Sequence, residues 1–273
     1  MIRGSDYVLT SEQIEAYRRD GYLVLPEVVR EAELGAIEPV FDRFVRGEVP
    51  GMGRDFCDMS GPYGRAFEDF NLINAVLPRV YEPGLQGNVF ERRATAIAQQ
   101  LIGADAELDY DQFLAKRPRR PQAVFAWHQD LGYWPAGTPD TRTVTCSLAL
   151  DDATPENGCL EVVPGSHLEP KLRPHRPRAW STSPELRDQA HTLSVELCPT
   201  DVVVALPVKR GSITVHNERI VHGSAGNNSD GWRRTYVVAH RSRETVACER
   251  ALGFTHSHND AINWKTHLEA LET

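Results

Sequence analysis

Trp127-His128-Gln129-Asp130 closes an apolar run and sets an imidazole and a carboxylate two positions apart. Side chains at i and i+2 of a strand share a face, so His128 and Asp130 converge on one point. A nitrogen and an oxygen donor placed in this way suit a borderline divalent cation, although a lone H-x-D occurs by chance far more often than it marks a metal site. His222 lies 94 residues further on, after the apolar Ile220-Val221 and before a glycine-rich turn. Eleven residues later Arg233 heads the strand Arg234-Thr235-Tyr236-Val237-Val238. Two histidines and a carboxylate on one face leave three coordination positions open, which fits non-haem Fe(II) and oxygen chemistry.

Such a set needs rigid strands behind it. From Leu108 onward the period becomes that of strands: Leu108–Leu114, Ala123–Trp127, Thr143–Leu150, Leu160–Val163, Thr192–Leu197, Val202–Leu206, Ser212–Val215 and Arg234–Ala239. Short strands punctuated by Gly, Pro and Asn predict a sandwich or jelly roll. Helices come first. Thr10-Ser11-Glu12-Gln13 has the form of a capping box, with the helix stopped at Gly21. Tyr22–Leu25 reads as a short strand, Ala32–Val45 as a helix interrupted by Pro39, and Asn88–Leu101 as a helix ended by Gly103. The expected fold is mainly β with flanking helices, in one domain over 1–273: a helical part to about 105 and a jelly-roll core over about 106–245. Two Gly- or Pro-rich stretches, 47–69 and 165–190, read either as solvated connections or as lids.

Thirty Lys+Arg against 38 Asp+Glu give a net charge of −8, the wrong sign for a general nucleic-acid or anionic-membrane binder. Only four of the cations are lysines, and most of the arginines are expected at the surface. Five scattered cysteines without a C-x-x-C support neither a disulfide framework nor a thiolate zinc site. With no signal-like apolar stretch at the N-terminus, the expectation is a cytoplasmic protein acting on a small molecule.

The chain resembles the phytanoyl-CoA dioxygenase-like family of Fe(II)/2-oxoglutarate-dependent oxygenases. The matching segments run in order from Leu9-Thr10…Gln13-Ile14…Tyr17…Asp20-Gly21-Tyr22-Leu23-Val24-Leu25-Pro26 through Trp127-His128-Gln129-Asp130. They continue with Ala149-Leu150-Asp151-Asp152…Asn157-Gly158-Cys159-Leu160…Val163-Pro164-Gly165-Ser166-His167, and end with His222-Gly223-Ser224…Asn227…Ser229…Arg233.

The resemblance implies a double-stranded β-helix of the cupin-like jelly-roll kind that holds iron through His128, Asp130 and His222. It implies O₂ as oxidant and 2-oxoglutarate as cosubstrate, its far carboxylate on Arg233 and Ser224, with Phe113 and Cys146 at the remaining cosubstrate positions. Arg234 is the rival of Arg233. His216 competes for the third ligand position, but the Asn217-Glu218 beside it does not fit the pattern. An intact Asp130 implies hydroxylation rather than halogenation, with epimerisation, desaturation and cyclisation sharing the chemistry. The expected substrate is a secondary-metabolite or antibiotic intermediate. Trp127, Tyr133 and Trp134 read either as core or as a substrate wall. His167 reads as structural, and the His256/His258 pair as surface. The alternatives are a zinc hydrolase on the same three ligands and a non-catalytic jelly-roll binding protein.

Overall fold

The computed structural model describes residues 2–3, 6–135, 137–178 and 192–262. In chain order its main elements are α1 (Ser11–Asp20), β1 (Tyr22–Leu25), α2 (Glu38–Val45), β2 (Phe56–Asp58), β3 (Leu72–Val76), α3 (Val89–Ile102) and β4 (Ala106–Lys116). They continue with β5 (Phe125–His128), β6 (Thr143–Ala149), β7 (Leu160–Val162), β8 (Val204–Leu206), β9 (Ile213–His216), β10 (His222–Ser224), β11 (Arg233–Ser242) and α4 (Arg243–Leu252). A seven-stranded sheet runs β1-β9-β6-β11-β4-β3-β2, and a four-stranded sheet runs β8-β7-β10-β5, all neighbours antiparallel. Two sheets with crossing connections are the jelly roll that the strand pattern predicts.

The helices cover one face of the larger sheet. α1 starts on the Thr10 capping box and stops at Gly21, whose φ of 84° is the left-handed cap conformation. Pro39 does not break a long helix. It sits in the first turn of α2, where its missing N–H costs nothing, and a separate short helix covers Glu31–Leu34. Phe41, Phe44, Phe90, Ala94 and Ile97 meet Phe113, Cys146, Leu148, Val215 and Tyr236 of the sheet in one buried cluster. Strand alternation turns the next residues, Gln112, Leu114, Thr145, Ser147, Thr214, Thr235 and Val237, toward the smaller sheet, where they line a cavity of about 600 Å³ including its open mouth.

The glycine-rich stretch 47–69 is not a free loop. Its centre is β2, paired Phe56↔Ala75 to Asp58↔Ile73 along the sheet edge. The buried Asp58 carboxylate accepts the backbone N–H groups of Ser60, Asn71 and Leu72 and the Arg65 guanidinium. Of the strand expected over Thr192–Leu197, only Leu193–Ser194 pairs, with Arg176–Pro177. The part of the 165–190 stretch at 179–190 lies outside the described residues. No helix among the described residues is long and apolar enough to cross a membrane.

Candidate active site

His128 ends β5 and His222 starts β10, and the two are a register pair of the smaller sheet. Asp130 lies beyond the strand, at the head of a tight turn held by Leu131 N–H to the Glu218 carbonyl (3.2 Å) and Gly132 N–H to the Gln129 carbonyl (2.9 Å). The turn brings Asp130 Oδ1 to 3.1 Å from His128 Nε2 and 3.5 Å from His222 Nε2. All three side chains are buried, and their ligand atoms lie within 4.8 Å of one another.

The other ring nitrogens settle the tautomers. His128 Nδ1 lies 2.7 Å from the Ala126 carbonyl and His222 Nδ1 3.0 Å from the Ile220 carbonyl. A carbonyl only accepts, so each Nδ1 carries the proton, and each neutral imidazole turns its Nε2 lone pair toward Asp130. Burial, and His128 beside it, lower the His222 pKa well below the ordinary histidine value. Two lone pairs facing an anion in a dry site repel unless a cation sits between them. The donor set therefore fits a divalent metal.

Gln129, between His128 and Asp130, is held on three sides. Its N–H donates to His175 Nε2 (3.1 Å), its amide donates to the Arg219 carbonyl (2.6 Å), and its Oε1 accepts the Arg173 N–H (2.7 Å). The described part of the 165–190 stretch thus straps down the turn that carries Asp130.

At the other end of the cavity Arg233 and Lys116 are a register pair of β11 and β4, and both line it. Burial pushes Arg233 down to about 10 and holds Lys116 well below its ordinary value, Arg233 adding to the effect on Lys116. Lys116 Nζ donates to Ser224 Oγ and to the Ala225 carbonyl, and the Arg233 Nε is buried without a hydrogen-bond partner. Gly158 allows this approach: its φ is 75°, and a Cβ there would lie 2.7 Å from Lys116 Nζ and 2.0 Å from the Ala225 carbonyl oxygen. Asn227 pins the turn between β10 and β11 by donating to the Gly231 (2.8 Å) and Arg117 (3.1 Å) carbonyls. Arg234 points away and bonds Asp151, Asp42 and Glu38 at 2.8–2.9 Å.

The phytanoyl-CoA dioxygenase (PhyH) family profile matches residues 17–235. The chain belongs to that family. An ectoine dioxygenase from Stutzerimonas stutzeri is 27% identical over 261 residues, covering 89% of this chain and 81% of its own. Among solved structures, EvdO2 from Micromonospora carbonacea var. aurantiaca, complexed with 2-oxoglutarate, superposes with a TM-score of 0.65 at 27% identity, over 86% of this chain and 92% of its own. SnoK, a non-haem α-ketoglutarate-dependent carbocyclase from nogalamycin biosynthesis, gives 0.64 at 25% identity, over 85% and 83%. This PhyH-family chain is an Fe(II)- and 2-oxoglutarate-dependent dioxygenase that uses O₂. The zinc-hydrolase and non-catalytic alternatives fall with that assignment.

Several sequence expectations for this dioxygenase need correction. Phe113 and Cys146 do not reach the cavity. Phe113 stacks with Phe41, Phe44 and Tyr236, and Cys146 is buried in the same helix-facing cluster. Each is one residue out of phase with the cavity face, which Gln112, Leu114, Thr145 and Ser147 form. Trp127 packs outward on Val163, Val195 and Val221. Trp134 donates Nε1–H to Glu218 (2.8 Å) and covers Arg241, away from the cavity. Tyr133 abuts the His128 ring edge-on, and its hydroxyl accepts the Leu193 N–H (2.8 Å).

His256 is not on the surface. The chain after α4 folds back, so that His256 Nε2 lies 2.6 Å from Asp109 inside a buried network with Glu249, Arg241 and Arg250. Both arginines already neutralise those carboxylates. His258 is half-buried near Cys57, Nδ1 to Sγ 3.8 Å. His167 is buried against Gly21 with Nε2 3.1 Å from the Arg18 carbonyl. Lys116, Tyr110, Gln112 and Thr145 are cavity residues that the sequence reading passed over. The even spacing of Tyr110, Gln112 and Lys116 along β4 was the available signal.

Proposed function

We propose that His128, Asp130 and His222 hold the iron, that Arg233, Ser224 and Lys116 take the far carboxylate of 2-oxoglutarate, and that the enzyme hydroxylates a small organic intermediate of secondary metabolism. The observation that carries the reading is the pair of His128 and His222 Nε2 lone pairs turned onto one Asp130 oxygen in a buried pocket. When bound, iron supplies the oxidative decarboxylation of 2-oxoglutarate by O₂ that drives removal of hydrogen from the substrate. Everything else is positioning by the chain.

Arg233 presents a planar fork that matches a carboxylate bidentately, and Lys116 adds a second positive charge beside it. The strap on Gln129 keeps the Asp130 turn in place. Leu72, Leu114, Phe125 and Leu160 dry the cavity, while Gln112 and Tyr110 line it with neutral polar groups. Outside the two cations and the Asp130 set, the lining is uncharged. That favours a neutral, hydroxyl- or carbonyl-bearing substrate over an acyl-CoA. The likeness to SnoK, an enzyme from nogalamycin biosynthesis, supports a role in secondary metabolism, and the retained Asp130 supports hydroxylation. The chain reads as one catalytic domain whose helices and larger sheet share a core. Five free cysteines agree with a reducing cytoplasm.

The test is aerobic incubation with Fe(II), 2-oxoglutarate and a panel of aromatic and glycosylated biosynthetic intermediates, reading succinate and product mass. Substrate-dependent succinate with a gain of one oxygen atom supports the proposal. A product of unchanged oxygen content would replace hydroxylation with cyclisation, desaturation or epimerisation.

A further inference from the structure

His216 ends β9 in the larger sheet, six residues before His222, and lines the same cavity. Its backbone is fixed on both sides, paired with Thr145 of β6 and Tyr22 of β1. Its imidazole is 4.5 Å from the His222 ring, yet it stands outside the set of ligand atoms that lie within 4.8 Å of one another. Its hydrogen bonding is the reverse of that of His128 and His222. No partner meets its buried Nδ1, and its Nε2 lies 3.2 Å from Asp130 Oδ2. With no carbonyl at Nδ1 to hold the proton there, as His128 and His222 have, the proton stands on Nε2, facing a carboxylate oxygen that only accepts. His128 and His222 offer lone pairs to the centre, whereas His216 offers an N–H to the back of the carboxylate.

The geometry points to His216 as the positioning residue that keeps Asp130 a one-oxygen ligand. With Oδ2 engaged by His216, only Oδ1 faces His128 and His222. The distinction bears on the reaction. Two imidazoles and one carboxylate oxygen would occupy three positions of a bound metal and leave the rest free for 2-oxoglutarate and O₂. A carboxylate swung round to bind through both oxygens would take one of those left free. Hydrogen bonds to a ligating carboxylate commonly govern metal affinity in this way. This inference rests on the ligand assignment proposed above.

The experiment is titration of the metal-free protein with Mn(II), a redox-silent probe, following free Mn(II) by electron paramagnetic resonance, together with the visible spectrum of the Co(II)-loaded protein. His216→Ala weakens Mn(II) binding about 10- to 100-fold, and its Co(II) spectrum shifts toward higher coordination. His216→Gln, whose amide N–H reaches the same place, restores most of both. If the alanine variant does not fold, His216→Asn, too short to reach Oδ2, takes its place against His216→Gln. Wild-type affinity and an unchanged Co(II) spectrum in a folded His216→Ala protein would overturn the inference. So would loss of Mn(II) in both variants as complete as in His222→Ala, which would make His216 a ligand. Equal Mn(II) binding by wild type and His128→Ala would overturn the ligand assignment itself.

Discussion

Lys116 and Arg233 stand opposite each other in the register of two antiparallel strands, and both turn into one buried cavity. Burial holds both cations below their ordinary pKa, and Arg233 beside it lowers Lys116 further. An anion with two oxygens relieves both. The far carboxylate of 2-oxoglutarate has that chemistry, and the candidate metal ligands lie in the same cavity to receive the other end.

Arg233→Ala is expected to raise the KM for 2-oxoglutarate about 100-fold and Lys116→Met about 10-fold, as the loss of charge-assisted hydrogen bonds implies. Steady-state kinetics with varied cosubstrate reads this out. Arg234→Ala, which breaks the ion pairs to Asp151, Asp42 and Glu38, lowers the Tm and leaves that KM alone. The opposite pattern would exchange the roles of the two arginines.

Strand phase separates core from site. Cys146→Ala costs about 1 kcal/mol of stability in denaturant titration and leaves the KM for 2-oxoglutarate unchanged. Gln112→Ala leaves stability unchanged and alters kcat/KM. A cosubstrate KM that responds to Cys146 would show that the cavity face has been misassigned.

Gln129→Ala removes the side-chain bonds to Arg219 and Arg173 that hold the strap against the Asp130 turn. Amide hydrogen exchange over 173–178 is expected to accelerate, and Mn(II) affinity to fall with it. Unchanged exchange in that segment would mean the strap is anchored elsewhere, by the Arg173 pairs with Glu169 and Asp201.

Stability should fall as pH rises from about 4 to about 7. Burial holds the Asp111 carboxyl up at about 7, Arg79 opposing, whereas an unfolded aspartate titrates near ~3.9. The folded state therefore prefers the protonated acid, and it loses stability progressively as the group ionises. Asp111→Asn keeps an acceptor for the Arg79 N–H and the Tyr236 hydroxyl while removing the charge. It should raise the Tm at pH 8 and do little at pH 5. An equal effect at both values, measured by thermal melts, would assign the pH dependence to another group.

The sequence carried the fold further than it carried the pocket. Apolar alternation and turn residues gave most of the strands and the H-x-D pair, because these are local patterns, whereas His222 and Arg233 were singled out by the family resemblance. Phe113 and Cys146 were misplaced because a one-residue change of phase moves a side chain to the opposite face, and neighbouring apolar residues in a doubly covered strand do not reveal the phase. Lys116 was missed because its partner is 117 residues away in the chain and only the strand register joins them. His256 was misread because its carboxylate partners, Asp109 and Glu249, lie on two other elements. The edge strand Phe56–Asp58 was hidden by the glycines and prolines around it.

The central claim is that His128, Asp130 and His222 hold iron while Arg233 and Lys116 hold the far end of 2-oxoglutarate. Anaerobic addition of Fe(II) and then 2-oxoglutarate to the wild-type protein, followed by visible absorption, tests it most directly. The account predicts a metal-to-ligand charge-transfer band that saturates with both additions. The band should be absent in Asp130→Ala and should need far more 2-oxoglutarate in Arg233→Ala. A band of full intensity and unchanged 2-oxoglutarate dependence in both variants would contradict it.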